Sequence, residues 1–162
     1  MNFKNVVRKA GLPILFLLIF TGFCKAQDHE MAIGLRGGVG YGLSLKQFIE
    51  DDVAVELIFN SRYSGINITG LYEWHKEAFN NPNWYWFYGG GVHIGFWNGD
   101  NTPWGDDPGS YLSTGLDGIG GLEYEFDNYP IAISIDWKPS FNLSGYSGFI
   151  GDNGALTFRY TF

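Results

Sequence analysis

The chain is poor in cysteine: its only cysteine, Cys24, lies near the amino terminus. A single thiol excludes an intramolecular disulfide framework and a metal site built from several thiolates. Long hydrophobic runs are also scarce, because no segment after residue 26 approaches the roughly 18 uninterrupted apolar residues that a membrane-spanning helix requires. The later part of the chain therefore has neither crosslinks nor apolar helices of spanning length.

The amino terminus has the features of a cleaved secretory signal. A short basic region at residues 2–9 precedes an apolar run at residues 12–20, and small side chains lead up to a cleavage position after Ala26. This order of basic, apolar and small residues is typical of a signal peptide. We expect residues 1–26 to be removed and residues 27–162 to form one domain.

Cys24 offers a second interpretation of this region, as the lipid-modified cysteine of a lipoprotein. Phe23 disfavours it, because lipoprotein signals are similar to one another in having a small residue at that position. We therefore expect cleavage after Ala26, which removes Cys24 and leaves the mature protein without a thiol.

Positive charge is scarce in the expected mature domain. Four of the ten lysines and arginines lie in residues 1–26, so six basic residues remain against seventeen acidic ones, a formal charge of −11. Nucleic acids are bound through clusters of basic side chains that neutralise phosphates, and the sequence has no such cluster. We expect no nucleic-acid partner.

Aromatic residues and glycines are abundant, with 26 of the 30 aromatic residues lying after residue 26. Several segments alternate apolar and polar residues, which is the pattern of a β-strand with two different faces. The cleanest internal case sets Ile131, Ile133 and Ile135 against Ser134 and Asp136. The composition and the alternation together predict an all-β protein.

The last predicted strand carries an apolar face that extends to Phe162. Side chains alternate with a period of two, so one face holds Leu156, Phe158, Tyr160 and Phe162, while the other holds Thr157, Arg159 and Thr161. A strand that faces lipid on one side and a polar lumen on the other has this pattern. The sequence therefore predicts a transmembrane β-barrel.

The number of strands depends on residues 31–49, which are consistent with one long strand or with two short ones. Glycines at positions 37, 38 and 40 allow a turn between two strands. Bacterial barrels normally have an even number of strands, which favours two here. The result is an eight-stranded antiparallel up-and-down transmembrane β-barrel.

Linker composition predicts which end of the barrel faces outward. The longest polar linkers, near residues 99–110 and 142–153, fall at one end, and the shorter ones near 50–52, 77–83 and 127–129 fall at the other. Long outer loops and short periplasmic turns are typical of outer-membrane barrels. Aromatic residues also gather towards both ends of the predicted strands, as in interfacial girdles.

Six segments carry a family resemblance that spans the expected mature chain. They are Ile33-Gly-Leu-Arg-Gly-Gly38, Leu71-Tyr-Glu-Trp-His75, Tyr88-Gly-Gly-Gly-Val-His93, Gly118-Ile-Gly-Gly-Leu-Glu-Tyr124, Ile135-Asp-Trp-Lys-Pro139 and the terminal Phe-Arg-Tyr-Thr-Phe. The chain resembles small OmpA/OmpX-type barrels and, more closely, outer-membrane β-barrel proteins typical of Bacteroidetes. The resemblance implies a location in the outer membrane of a Gram-negative cell, with the lipid bilayer as partner. It also implies that the barrel-assembly machinery reads the strand ending in Phe162.

Alternation on eight strands sends ten charged side chains into a narrow lumen. They are predicted to form an ionic network that fills it, because buried charges must be paired: Arg36, Lys46, Glu56, Glu73, Asp117, Glu123, Glu125, Asp136, Lys138 and Arg159. The alternative is a narrow gated pore for ions or small solutes, whose ion pairs exchange partners. Asp136 and Lys138 share a face, so an ion pair between them is geometrically allowed.

Catalytic and metal-binding patterns are weak. His75 and His93 have no serine and carboxylate at recognisable spacing, and the acidic loop residues match no calcium-binding pattern. A lumen carboxylate such as Glu73 is expected to bind His75. We expect neither an enzyme nor a cofactor or metal, but a structural or surface-interaction role through the outer loops, with an unidentified surface partner. A soluble β-barrel that binds an apolar ligand is the further alternative.

Overall fold

A computed structural model describes residues 31–62, 65–98, 110–145 and 148–162. The predicted signal peptide at residues 1–26 and most of the predicted outer loop at 99–110 lie outside the described residues.

The described residues form ten strand segments. Their bounds are β1 Met31–Gly38, β2 Tyr41–Glu50, β3 Val53–Arg62, β4 Gly65–Ala78, β5 Asn81–Asn98, β6 Ser110–Glu125, β7 Ile131–Trp137, β8 Ser140–Ser144, β9 Gly148–Ile150 and β10 Gly154–Thr161. No helix in the described ranges is long and apolar enough to cross a membrane.

The sheet closes on itself through antiparallel pairings throughout. Consecutive segments pair from β1 to β6, and β10 returns to pair with β1. Both β7 and β8 pair with β6, so they are two halves of one wall strand interrupted at Lys138 and Pro139. Segments β9 and β10 form the last wall strand in the same way, because they pair with β8 and β7. The predicted eight-stranded antiparallel barrel is confirmed.

Residues 31–49 form two strands, as predicted, with the turn at Val39 and Gly40. In register, Gly37 of β1 lies opposite Tyr41 of β2, so the hairpin is tight. We use "terminal end" for the end of the barrel where β1 begins and β10 ends, and "loop end" for the opposite end.

Two predicted linker bounds were wrong. The linker predicted at 142–153 contains the end of β8 and all of β9, because inward Asn142 and outward Phe141 and Leu143 continue the strand alternation. The linker predicted at 77–83 shrinks to a two-residue turn between β4 and β5. In both places, polar residues with turn-like composition belong to paired strands.

The turn between β4 and β5 has an unusual backbone. Phe79 and Asn80 have φ angles of 58° and 52°, so both occupy the left-handed region that type I′ hairpin turns require. Asparagine tolerates this region better than other residues with side chains. We expect Asn80→Val to lower the free energy of unfolding by about 1–2 kcal/mol, since a β-branched residue is strained there. Denaturant unfolding in detergent micelles measures this, and Asn80→Gly, which should match the wild type, is the control.

Apolar side chains point outward along the wall. Leu35, Val92 and Ile135 are 68%, 60% and 61% exposed, whereas inward Lys46 and Arg159 are each 1% exposed. A small apolar core cluster also lies inside, formed by Ile58, Leu71, Phe87 and Ile119. The strand alternation therefore places most of the charged side chains of the wall strands inside the barrel and most of the large apolar side chains outside it.

Candidate functional site

The most densely connected polar group lies inside the barrel. We call it the central cluster, and its members are fully or almost fully buried: Ser44, Lys46, Glu56, Glu73, His75, Glu123, Ser134 and Arg159. They are contributed by β2, β3, β4, β6, β7 and β10. Each occupies an inward position of its strand, so the period of two brings them into one interior without any loop.

Arg159 of β10 bonds side chains on four other strands. Its Nη1 atom donates to Glu123 Oε2 at 2.6 Å and to Ser134 Oγ at 2.6 Å. Its Nη2 atom donates to Glu56 Oε1 at 2.7 Å, and its Nε atom donates to Ser44 Oγ at 3.2 Å. The planar guanidinium has five donors in a fixed fork, which lets one side chain hold two carboxylates.

Lys46 is the second cation of the central cluster. Its Nζ atom lies 3.1 Å from Glu73 Oε2 and 3.4 Å from Glu123 Oε2. The same atom lies 4.5 Å from the centroid of the Phe87 ring. Carboxylates and an aromatic face thus surround the ammonium, which replaces part of the hydration it loses on burial.

His75 lies beside both acidic partners of Lys46. Its Nε2 atom is 3.4 Å from Glu73 Oε2, and its Nδ1 atom is 3.9 Å from Glu123 Oε1. The ring stacks on Phe87 with a centroid distance of 5.4 Å. Glu73 is therefore near His75, as expected, although the contact is long for a hydrogen bond.

A second polar group, the loop-end cluster, consists of His93, Asp117, Lys138, Ser140 and Asn142. Asp117 accepts from Lys138 Nζ at 2.6 Å and from Ser140 Oγ at 2.7 Å, and it lies 2.6 Å from His93 Nδ1. The other ring nitrogen of His93 lies 3.0 Å from Asn142 Oδ1. The imidazole is held between two oxygen atoms and faces an amide where a catalytic triad would place a nucleophile.

A third interior pair joins strands that are not neighbours. Arg36 of β1 makes two hydrogen bonds of 2.5 Å to the carboxylate of Asp136 in β7, and its Nη1 atom lies 3.3 Å from Thr157 Oγ1 of β10. Bidentate pairs of this kind fix both distance and orientation. The pair therefore spans β10 from the inside.

One salt bridge at the loop end was not predicted from the sequence. Arg62, at the end of β3, donates to Asp152 Oδ2 at 2.6 Å and to Asn153 Oδ1 at 2.9 Å, between β9 and β10. The hydrogen bond from Arg62 holds the pKa of the Asp152 carboxyl below its ordinary value. Asp152 is largely exposed, so this salt bridge is weaker than the interior pairs.

The structure buries nine of the ten charged residues that the sequence placed in the lumen, and each has an ion-pair partner. The tenth, Glu125, is half-buried at the end of β6, where its carbonyl oxygen accepts from Asn83 Nδ2 at 3.0 Å. Asp136 and Lys138 do not pair with each other, since Asp136 pairs with Arg36 and Lys138 with Asp117.

Sequence reasoning missed the neutral members of these clusters. Ser44, Ser134, Ser140 and Asn142 are inward and buried, and each bonds a charged residue or His93. Their inward register was visible in the alternation, but small polar residues are too common to be singled out by it. Among the described residues, no group of three or more histidine, cysteine or acidic side chains is arranged to hold a metal ion.

Phe162 follows β10 at the terminal end. Its amide donates to the Met31 carbonyl at 2.8 Å, and its carbonyl accepts from the Met31 amide at 3.0 Å. Its ring stacks on Tyr160 with a centroid distance of 6.2 Å and is 66% exposed. The proposed assembly signal is therefore an outward aromatic at the closing seam of the barrel.

Comparison with solved structures finds a barrel of the same architecture. The crystal structure of the N-terminal β-barrel domain of Pseudomonas aeruginosa OprF superposes with a TM-score of 0.64 at 16% sequence identity. The match covers 83% of this chain and 96% of that chain. The fold is that of the OprF barrel domain. No family model and no curated protein matches the sequence. Membership of the Bacteroidetes barrel family stays a prediction.

Proposed function

We propose that this protein is an integral outer-membrane β-barrel with a structural or surface-interaction role. In this proposal the outer loops carry the interaction, and paired ionic side chains close the lumen. One observation carries the proposal, namely the inside-out distribution of polarity on a closed sheet. Charged residues such as Glu56 and Arg159 are buried, while large apolar residues such as Leu35 and Ile135 are exposed.

The exposed apolar side chains are too many for a water-facing surface. Soluble monomers rarely expose contiguous apolar patches larger than a few hundred Å². Here apolar residues on all eight wall strands are exposed, among them Leu35, Leu43, Phe59, Ile66, Val92, Leu116, Ile135 and Leu156. A hydrocarbon environment turns this exposure from a cost into a stabilising contact.

Exposed and half-buried aromatic rings form a band at the terminal end, as interfacial girdles do. Trp74 stacks with Tyr88 at 5.8 Å, and Tyr72 packs edge-on against Trp74 at 4.9 Å. Tyr124 continues the band on β6, where it packs against Trp84 at 5.0 Å. The rings contact one another along the wall rather than filling the interior, which supports an interfacial role.

The closed lumen rests on the density of the ion pairs. Arg159 links Glu56 and Glu123 across the barrel, and Lys46 and Phe87 fill the space beside them. A conducting path would have to separate these buried pairs. Separating a buried pair leaves uncompensated charge, which costs several kcal/mol.

A narrow gated pore is the second candidate, and one geometric observation favours it. Arg159 and Lys46 share the same oxygen, Glu123 Oε2, at 2.6 and 3.4 Å. Exchange of that shared partner could open a path. We expect the wild-type protein to show no ion conductance in planar bilayers. Conductance that disappears in Arg159→Ala or Glu123→Ala would instead support the pore.

The membrane proposal is tested on the full chain expressed in a Gram-negative host. We expect the protein in the outer-membrane fraction, extracted only with detergent, and a gel mobility that differs between boiled and unboiled samples. Folded barrels resist unfolding at room temperature in dodecyl sulfate, whereas boiling unfolds them. Protein that stays soluble without detergent would contradict the proposal. That result would support the alternative of a soluble barrel that binds an apolar ligand.

A further inference from the structure

The central cluster contains more acidic groups than permanent cations. Glu56, Glu73 and Glu123 face Lys46 and Arg159, and all five side chains are at most 2% exposed. With every carboxyl ionised and His75 neutral, the cluster would hold one unbalanced negative charge. An uncompensated charge at a buried position is strongly unfavourable, so the protein must neutralise it.

Two carboxylate oxygens in the cluster lack a donor. Glu56 Oε1 accepts from Arg159 and Ser44, and Glu73 Oε2 lies near Lys46 and His75. The remaining oxygens, Glu56 Oε2 and Glu73 Oε1, are buried and receive no hydrogen bond from the described residues. Glu56 and Glu73 lie on neighbouring strands and face the same interior, since Ala54, two residues before Glu56, is the register partner of Glu73. Long side chains at such diagonal positions can reach each other.

Two ionised carboxylates cannot form a hydrogen bond, because both are acceptors only. We propose that the folded protein holds one proton between Glu56 and Glu73 at neutral pH. Glu73 carries it and donates to Glu56. This single proton gives both unpaired oxygens, Glu56 Oε2 and Glu73 Oε1, a hydrogen bond, and it brings the charge of the cluster to zero.

The contacts of each carboxyl indicate which one carries the proton. Glu56 accepts a charge-assisted bond of 2.7 Å from Arg159 and a further bond from Ser44, both of which favour its ionised form. Glu73 has Lys46, at 3.1 Å, as its only permanent cation within ion-pair distance among the described residues, and it shares that lysine with Glu123. Glu73 is therefore the less strongly compensated of the two.

His75 is the other group that could take up the proton. Its nitrogen atoms lie 3.4 Å from Glu73 and 3.9 Å from Glu123. Charge-assisted hydrogen bonds between nitrogen and carboxylate oxygen are usually about 2.7–2.9 Å long, so both distances are too long for an imidazolium that is well bound. Phe87 stacks on the imidazole and Phe48 packs edge-on against it, and no other carboxylate of the described residues lies within 4.0 Å of its nitrogens. The carboxyl pair fits the proton better.

Infrared spectroscopy of the full chain in detergent micelles tests the inference directly. A protonated carboxyl has a C=O stretch distinct from the bands of carboxylates and amides. We expect this band at neutral pH, where exposed glutamates, with pKa values of about 4.3, are ionised. The band should shift in D₂O and should disappear in both Glu73→Gln and Glu56→Gln. Glu125→Gln, which changes a half-buried carboxyl outside the cluster, is the matched control and should keep it.

A stability measurement provides an independent readout. Glutamine resembles a protonated glutamate in shape and in having one donor and one acceptor end. Unfolding of the wild type releases this proton above about pH 4.3, the ordinary pKa of an exposed glutamate, so wild-type stability should fall as the pH rises from there through neutrality. Glu73→Gln has no such proton to release, so it should lack this decrease and have a higher denaturation midpoint than the wild type at neutral pH. A wild type without the protonated-carboxyl band would overturn the inference, as would a band that survives in both glutamine variants. Neither readout depends on where in the cell the barrel resides.

Discussion

Replacing Arg159 with alanine is expected to lower the free energy of unfolding by about 3–5 kcal/mol, the usual cost of removing one partner from a buried ion pair. The reason is the number of groups that lose their partner together. Glu56 and Glu123 each lose a bond of 2.7 Å or less, and Ser134 loses one of 2.6 Å. Lys46 would remain as the only nearby permanent cation for three carboxyls. Urea unfolding in detergent micelles, followed by tryptophan fluorescence, measures the change.

Arg62 provides the matched control for this prediction. It forms a bidentate pair with a single aspartate, Asp152, whose side chain is 63% exposed. Arg62→Ala should therefore cost about 0–1 kcal/mol, as exposed ion pairs generally do. Equal losses for Arg159→Ala and Arg62→Ala would show that the central cluster contributes no more than a surface contact.

A second substitution separates two contributions to this cost: the hydrogen bonds that are lost and the buried charge that is left without a partner. Much of the cost of Arg159→Ala should come from Glu56, which would remain buried without a cation at 2.7 Å. Adding Glu56→Gln to Arg159→Ala should therefore recover part of the lost stability. Arg159→Lys should be intermediate, because a single ammonium cannot bridge Glu56 and Glu123 with the geometry of a guanidinium fork.

The inward side chains were largely predictable, because the period of two assigns every residue of a strand to one face. Lys46, Glu73 and Arg159 all lie inside once their strands are aligned with an apolar outer face. Their partners were not predictable in the same way. Partner choice depends on the stagger between strands around the closed sheet, which a sequence without register information does not contain.

Asp136 illustrates this limit. Its neighbour on the same face, Lys138, is two residues away, yet Asp136 bonds Arg36, which lies two strands away. The register of β7 on β10 and of β10 on β1 brings the two together, since Asp136 lies opposite Ala155 and Arg36 opposite Thr157. Strand ends were equally hard to predict, because the Gly, Asn and Ser residues around β9 have the composition of a loop.

Placing an arginine at Val92 is expected to destabilise the barrel by about 2–4 kcal/mol in lipid, if the outer wall faces hydrocarbon. Val92 is 60% exposed and lies midway along β5, with Tyr88 towards the terminal end and Phe96 towards the loop end. Its lateral neighbours in the sheet are Gly70 and Leu116, neither of which offers a counter-charge. An arginine there could not find a partner without bending towards the interface.

Val39→Arg is the matched control, because Val39 is also an exposed valine, at 41%, but lies in the turn between β1 and β2. Close to an interface the cost of an arginine falls to about 0–1 kcal/mol. The two variants should therefore differ clearly when unfolding is measured from lipid vesicles. On a water-facing barrel, both substitutions would fall within about 0.5 kcal/mol of the wild type, as surface changes generally do. Equal tolerance at the two positions would thus mean that the apolar wall is hydrated, and the membrane proposal would have to be abandoned.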